Sequence, residues 1–205
     1  MPTGFLYLDE RSLEDLLFID HLARTLKQIA APLVLVHGSG GRAERLLEAE
    51  GYVPRREKGV LQVQSAQELT LVERGIRETN QRLVAELSER LLPAVGIQGA
   101  DRGLLRRTAE GTLEVGRVDW LCTLLTQGIW PVLSTLARQG THIVEVAPAE
   151  MLSALAKAWP LGAVQILLLT DPKTHRPAAD EVAHRCLQEG IPLWIGPLED
   201  LPKLH

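Results

Sequence analysis

The sequence has few of the residues on which several classes of protein depend. It has two cysteines, Cys122 and Cys186, and no Cys/His spacing typical of zinc, which argues against a disulfide scaffold and a zinc finger. No apolar run approaches the roughly 20 residues of a membrane-spanning helix, and the N-terminus has no signal-peptide pattern. Lys and Arg total 22 against 26 Asp and Glu. That balance gives no global attraction to nucleic acid, so we expect a cytoplasmic protein whose partners are neither membranes nor nucleic acids.

Lysine is also scarce, which limits the side chains available to hold a phosphate. The lysines are Lys27, Lys58, Lys157, Lys173 and Lys203, and arginine supplies the other positive charges. Any cationic site must therefore be local and built mainly from arginine.

Strand and helix patterns alternate along the chain. Strands are predicted over 5–8, 32–37, 94–97, 130–133, 141–146, 164–170 and 192–195, and hairpins over 52–63 and 104–118. Helices are predicted over 12–30, 43–50, 66–92, 119–127, 149–159 and 180–189, with Ser65 and Asp119 as caps of two of them. This alternation predicts a mostly parallel sheet covered by helices on both faces. No linker is apparent, so we expect one compact unit spanning 1–205.

The strongest local pattern is a strand, a glycine turn and a helix. Gly38, Ser39, Gly40 and Gly41 follow the strand over 32–37, where a parallel sheet presents its ligand-binding edge. Glycines allow an anion to approach the backbone, and the free N–H groups of a helix start favour negative charge. The pattern fits either an anion or carboxylate site or a tight turn with no ligand.

An ordered series of family motifs runs along the chain as far as residue 171. Residues 34–41, VLVHGSGG, resemble V-V-H-G-G-G-P, and the helix over 65–87 resembles one carrying V-N-K-E-L-V. Residues 94–101, AVGIQGAD, resemble A-V-G-L-S-G-x-D, and 114–119, EVGRVD, resemble E-V-G-x-V-N/D. Residues 128–134, GIWPVLS, are similar to G-Y-I-P-V-I-S, and 166–171 to a strand ending in L-L-L-T-D. In this order the motifs resemble those of the amino-acid kinases, and within them of acetylglutamate kinase and its lysine-pathway relatives.

The resemblance implies a three-layer αβα sandwich of the amino-acid-kinase, carbamate-kinase-like type. It implies an acyl-amino-acid-binding lobe over 1–160 and a truncated nucleotide lobe over 161–205. The family's activity is transfer of the γ-phosphoryl of ATP, with Mg²⁺, to the side-chain carboxylate of an acylated acidic amino acid, in arginine or lysine biosynthesis. Such chemistry depends on positioning and on cationic and N–H stabilisation of negative charge.

Several charged residues of the family's pattern are replaced here. Tyr7 stands where relatives have a lysine, and Asp9-Glu10 where they have a second glycine turn. The substrate-gripping arginine falls at Leu61 or Gln62, an organising aspartate at Ala149 and a second lysine near Ala179.

The resemblance nevertheless yields candidate residues for each part of a site. Substrate binding is assigned to Gly38, Ser39, Gly40, Gly41, Glu145 and Ala147, and nucleotide binding to Thr170, Asp171 and Lys173. No catalytic group is assigned, although Lys173 and Arg176, past the strand end, and Arg42 at the glycine turn are candidate replacement cations. For each of these three the alternative is a solvated surface charge. No metal site is predicted.

Other chemistry has less support. His37 is either a general base or a core histidine satisfied by the backbone, and both cysteines are expected to be packing thiols. A hydrolase is disfavoured because no G-x-S-x-G elbow accompanies Ser39.

These observations lead to two hypotheses. The first is an acetylglutamate-kinase-like protein that keeps an acyl-amino-acid or anion pocket while phosphoryl transfer is impaired or lost. The alternative is an active ATP-dependent N-acetylglutamate or acyl-aminoadipate kinase. We also predict a homodimer, since the helix over 66–92 takes part in a two-fold contact in relatives.

Overall fold

The computed structural model describes residues 2–170 and 176–204, and in those ranges it has twelve strands and seven α-helices. The strands are β1 Thr3–Leu8, β2 Leu33–His37, β3 Arg56–Glu57, β4 Val60–Leu61, β5 Ala94–Gln98, β6 Leu105–Arg107, β7 Leu113–Val115, β8 Trp130–Ser134, β9 Leu136–Gln139, β10 His142–Glu145, β11 Val164–Leu169 and β12 Leu193–Gly196. The helices are α1 Glu10–Glu14, α2 Leu16–Leu26, α3 Gly40–Ala49, α4 Ala66–Glu89, α5 Asp119–Thr126, α6 Pro148–Ala158 and α7 Pro177–Glu189.

The central sheet has six parallel strands in the order β12-β11-β1-β2-β8-β5. Every residue of β1 and β2 is buried, which explains why both are nearly continuous apolar runs without alternation. A second, four-stranded sheet has the order β10-β9-β6-β7, and β3 and β4 form a short hairpin.

Helices cover both faces of the central sheet. On one face Phe5 and Val34 pack with side chains of α5, α6 and α7, such as Leu121, Leu152 and Val182. On the other face, strand side chains that include Leu6 and Leu35 pack with Ile19 and Leu22 of α2 and with Leu83 and Leu87 of α4. The predicted three-layer αβα sandwich is confirmed.

The predicted division at residue 160 does not coincide with a break in this sheet. Strand β11 pairs with β1 from Thr3↔Val164 to Tyr7↔Leu168, and β12 continues from β11. The segment 161–205 therefore extends the same sheet, and its assignment to nucleotide stays a prediction.

Two predictions about helix starts are wrong. The helix predicted over 12–30 is two helices, because the backbone of Asp15 is extended and interrupts it. The Asp15 side chain then caps α2 by accepting the Leu17 N–H at 2.9 Å. Asp119 does not cap α5. It is the first helical residue, and its carboxylate accepts from Arg117 instead.

The capping of α4 follows its prediction. Ser65 accepts the Glu68 N–H at 3.1 Å, and Glu68 reaches back to the Gln64 N–H at 3.3 Å.

Among the described residues, no helix combines the length and the apolar character needed to cross a bilayer.

Candidate functional site

The glycine turn lies where β2 ends at the carboxyl edge of the sheet. Ser39 precedes α3, and Gly40 begins it with φ of +59°, a left-handed conformation that favours glycine. A Cβ on Gly38 would lie 3.4 Å from Oε1 of Glu145. The turn thus brings backbone N–H groups to the edge of the sheet and against a carboxylate.

That carboxylate belongs to Glu145, the last residue of β10. Oε1 accepts the Ser39 N–H at 2.9 Å, and Oε2 accepts the Leu61 N–H at 3.1 Å. The Thr135 hydroxyl lies 3.5 Å from Oε1. We call the Ser39 N–H, the Leu61 N–H and the Thr135 hydroxyl the anion cradle, since all three face one carboxylate.

Arg56, from β3, covers the same turn. Its Nη1 donates to Ser39 Oγ at 2.7 Å, its Nη2 to the Gly40 carbonyl at 3.1 Å and its Nε to Glu44 at 2.7 Å. Glu10 lies 3.7 Å away. Burial alone would lower the pKa of Arg56, but Glu10, Glu145 and Glu44 outweigh it and raise that pKa.

The end of β1 carries a second carboxylate and a second arginine. Asp9 accepts the Ser12 N–H at 3.0 Å and the Ser12 hydroxyl at 3.2 Å, and so caps α1. It also forms an ion pair with Arg176, whose Nη1 additionally donates to the Leu169 carbonyl at 3.1 Å. This pair joins the carboxyl ends of β1 and β11, and both side chains are largely buried.

Burial and negative charge together shift the acids of this edge. Burial raises the pKa of Tyr7, and Glu10, Asp9 and Glu145 raise it further. Burial also raises the pKa of Glu145, against the opposing effects of Arg56 and the two N–H donors. The edge is therefore a crowded anionic region with two arginines already in contact with carboxylates.

The structure brings part of the predicted site together. Gly38, Ser39, Gly40 and Glu145 meet at the turn, with Gly41 in the first turn of α3, and Ala147 stands one residue before α6. Thr170 is exposed at the end of β11, and Asp171 and Lys173 lie outside the described residues. Arg42 pairs with Glu78 rather than with the turn.

His37 is a core histidine. It is fully buried, its Nδ1 lies 2.8 Å from the Gly38 carbonyl and its Nε2 lies 2.9 Å from Asn80 Nδ2. Because Asn80 Nδ2 also donates to the Val132 carbonyl at 2.9 Å, the network assigns the proton to Nδ1. Burial lowers the pKa of His37 to about 4.

Both cysteines are buried, free thiols. Burial raises the pKa of Cys122, and it raises that of Cys186 to about 11. Neither is therefore activated as a thiolate.

One cavity lies at the opposite edge of the sheet. A cavity of about 420 Å³ is lined by residues before and at the starts of β2 and β8, among them Pro32, Leu33 and Trp130. Its lining is mostly apolar, so it lacks the donors of the anion cradle. In residues 2–170 and 176–204, no cluster of three or more His, Cys, Asp or Glu side chains is arranged to hold a metal ion.

Comparison with known proteins decides the family. A profile of the amino acid kinase family matches residues 8–171. The chain belongs to the amino acid kinase family. The acetylglutamate kinase of Roseiflexus sp. strain RS-1 is 32% identical over 181 residues, which cover 83% of this chain and 68% of that relative. The resemblance of this amino acid kinase family member to acetylglutamate kinase is thereby confirmed.

Solved structures share its fold at low identity. The protein smu.665 of Streptococcus mutans UA159 superposes with a TM-score of 0.70 at 15% identity, covering 95% of this chain and 97% of that one. N-acetylglutamate synthase of Neisseria gonorrhoeae, in complex with coenzyme A and N-acetyl-glutamate, gives 0.68 at 18% identity, covering 97% and 55%.

Sequence reasoning did not predict that Arg56 would be part of the site, although its guanidinium contacts Ser39 and Gly40 at the glycine turn. The sequence shows it only as one charge in a polar hairpin. The donors Leu61 N–H and Thr135 Oγ1 were also missed, because neither has a local motif.

Proposed function

We propose that this chain is an acetylglutamate-kinase-like protein in which transfer of the ATP γ-phosphoryl group is lost. We further propose that the glycine turn is kept as a site for the carboxylate of an acylated acidic amino acid. Its cytoplasmic location, its link to arginine or lysine biosynthesis and its homodimeric state belong to the same proposal.

One observation carries the loss of transfer. The Asp9 carboxylate accepts the Ser12 N–H and pairs with the guanidinium of Arg176. It follows β1, at the strand end where the resemblance implies an anion-binding turn. Taken alone, that carboxylate would repel a phosphate oxygen at about 4 Å by about 1–4 kcal/mol at the dielectrics of water and of a protein surface. Arg176 offsets this charge, but its guanidinium is then engaged by Asp9 and not by a phosphate. This arrangement of the described residues supports the proposed loss of triphosphate binding.

The alternative is an active kinase that uses rearranged cations. Arg56 favours it, because its guanidinium lies beside the turn at Ser39 and Gly40. Arginine binds phosphate well, but here its N–H groups already contact Glu44, Ser39 and two carbonyls.

Calorimetry and a turnover assay separate the two hypotheses. We expect Mg-ATP to give no saturable heat, and ADP release with N-acetylglutamate or N-acetyl-aminoadipate to stay at the level of buffer. The Roseiflexus acetylglutamate kinase serves as the positive control. Saturable Mg-ATP binding with ADP formation that depends on the acyl amino acid, and that disappears in Arg56→Gln, would establish the alternative.

A further inference from the structure

The anion cradle holds both oxygens of one carboxylate. Two backbone N–H groups from different segments, Ser39 and Leu61, are aimed at the two oxygens of a single group. Hydrogen bonds of N–H groups to an ionised acceptor are among the stronger ones in proteins. The arrangement is therefore specific for a planar carboxylate with its two oxygens on different donors.

The present occupant of the cradle is supplied by the chain itself. Glu145 lies more than 80 residues from Leu61 and more than 100 from Ser39 in sequence, so its contacts there are tertiary. Its backbone pairs with Leu136 at the end of β10, while its side chain leaves the strand and accepts N–H groups from Ser39, just before α3, and from Leu61.

We propose that Glu145 is an internal ligand, and that the anion cradle without it binds an external small carboxylate. This inference concerns the same site as the proposed function. It rests on the proposed function only where it identifies the natural ligand as an acylated acidic amino acid. In the native chain such a carboxylate must displace Glu145, so its binding is weakened by an intramolecular competitor.

Arg56 makes the exchange electrostatically feasible. It lies over the turn and keeps Glu44 and Glu10 as partners after Glu145 is removed. Removing Glu145 takes one negative charge away from Arg56, so a carboxylate bound in the vacated cradle restores the charge of the native site.

Acetate is the probe, because Glu145→Ala removes the CH₂–COO⁻ group that acetate replaces. We expect Glu145→Ala to unfold at a lower temperature than the native chain. Sodium acetate at 100 mM should raise its unfolding temperature by about 3 °C or more, whereas sodium chloride should not. Glu145→Gln is the matched control, since its amide still fills the cradle, and acetate should shift it no more than chloride does.

Binding of N-acetylglutamate supplies a second readout. We expect Glu145→Ala to bind it at least about tenfold more tightly than the native chain does, because the competitor is gone. Equal effects of acetate and chloride on Glu145→Ala would overturn the internal-ligand proposal, whatever the outcome with ATP. ADP formation by the native chain would overturn the proposed function and leave this inference standing.

Should Glu145→Ala fail to fold, the more conservative variant Glu145→Gln still tests the proposal. In Glu145→Gln the amide oxygen can accept only one of the two N–H groups. Amide hydrogen exchange should therefore be at least about tenfold faster than in the native chain at whichever of Ser39 and Leu61 faces the amide nitrogen. The Val146 N–H, which donates to the Thr135 carbonyl, is the internal reference. Unchanged exchange at Ser39 and Leu61 would contradict the role of the carboxylate.

Discussion

At the scale of single residues, the buried histidine beside the glycine turn makes stability depend on pH. The pKa of His37 is lowered to about 4, so between that value and 6.5 the unfolded chain binds more protons than the folded one. The contribution of neutral His37 to the free energy of unfolding is therefore fully present above pH 6.5, and it is lost as the pH falls towards 4. A proton on Nε2 would also face the donor Nδ2 of Asn80.

We expect the native chain to lose about 2 kcal/mol of unfolding free energy through His37 between pH 7 and pH 5. Urea unfolding at both values should show this loss reduced in His37→Gln. His21, a half-exposed histidine, gives the matched control, and His21→Gln should keep the native difference within about 0.5 kcal/mol. The same pH dependence in His37→Gln as in the native chain would refute the assignment.

At the scale of elements, the crossing of α3 and α4 depends on a single glycine. A Cβ on Gly75 would lie 2.4 Å from the Ala43 Cα, a backbone atom that cannot move without moving α3. We expect Gly75→Ala to destabilise the chain by about 1–3 kcal/mol, although alanine favours a helix by about 1 kcal/mol.

Urea midpoints measure this effect. Gln81→Ala, at an exposed position of the same helix, is the control and should change stability by about 0.5 kcal/mol or less. A Gly75→Ala variant as stable as the control would contradict the prediction, because it would show that α3 and α4 accommodate a methyl group at this contact.

Elements with local signals could be predicted from the sequence. The glycine turn follows an apolar strand directly, and Ser65 with Glu68 fixes the start of α4. Strand β9 could not be predicted, because its four residues are held by pairing with β10 and β6 rather than by their own pattern. The break at Asp15 was missed because apolar spacing continues across it.

The candidate site was predicted in part for the same reason. The turn and Glu145 were found through family motifs, whereas Arg56 reaches Ser39 from a separate hairpin. A hydrogen bond between distant segments leaves no periodic pattern in the sequence. Only the three-dimensional structure therefore shows that Glu145 fills the anion cradle.

At the scale of the whole molecule, the structure limits how two copies can associate. The apolar residues of the long helix could serve the protein's own core or a contact with a twin, and Val72, Ile76, Leu83 and Leu87 are all buried in the core. What remains at that end is Leu91, 84% exposed and at φ of +61°, beside the open edge of β5. Leu91 takes this backbone as the residue after the C-cap Arg90, in a turn closed by the Leu92 N–H donating to the Leu87 carbonyl at 3.1 Å, and its side chain is left in solvent.

We therefore expect a homodimer whose contact includes Leu91. Sedimentation velocity at micromolar concentration should give about twice the chain mass of 22.6 kDa. Leu91→Asn should weaken the dimer by about tenfold or more, because asparagine tolerates the left-handed backbone and removes the apolar contact. Leu187→Asn, also exposed but on α7 across the sheet, should leave the dimer intact. A native chain that sediments as a monomer would remove the dimer, and equal weakening by both variants would place the contact elsewhere.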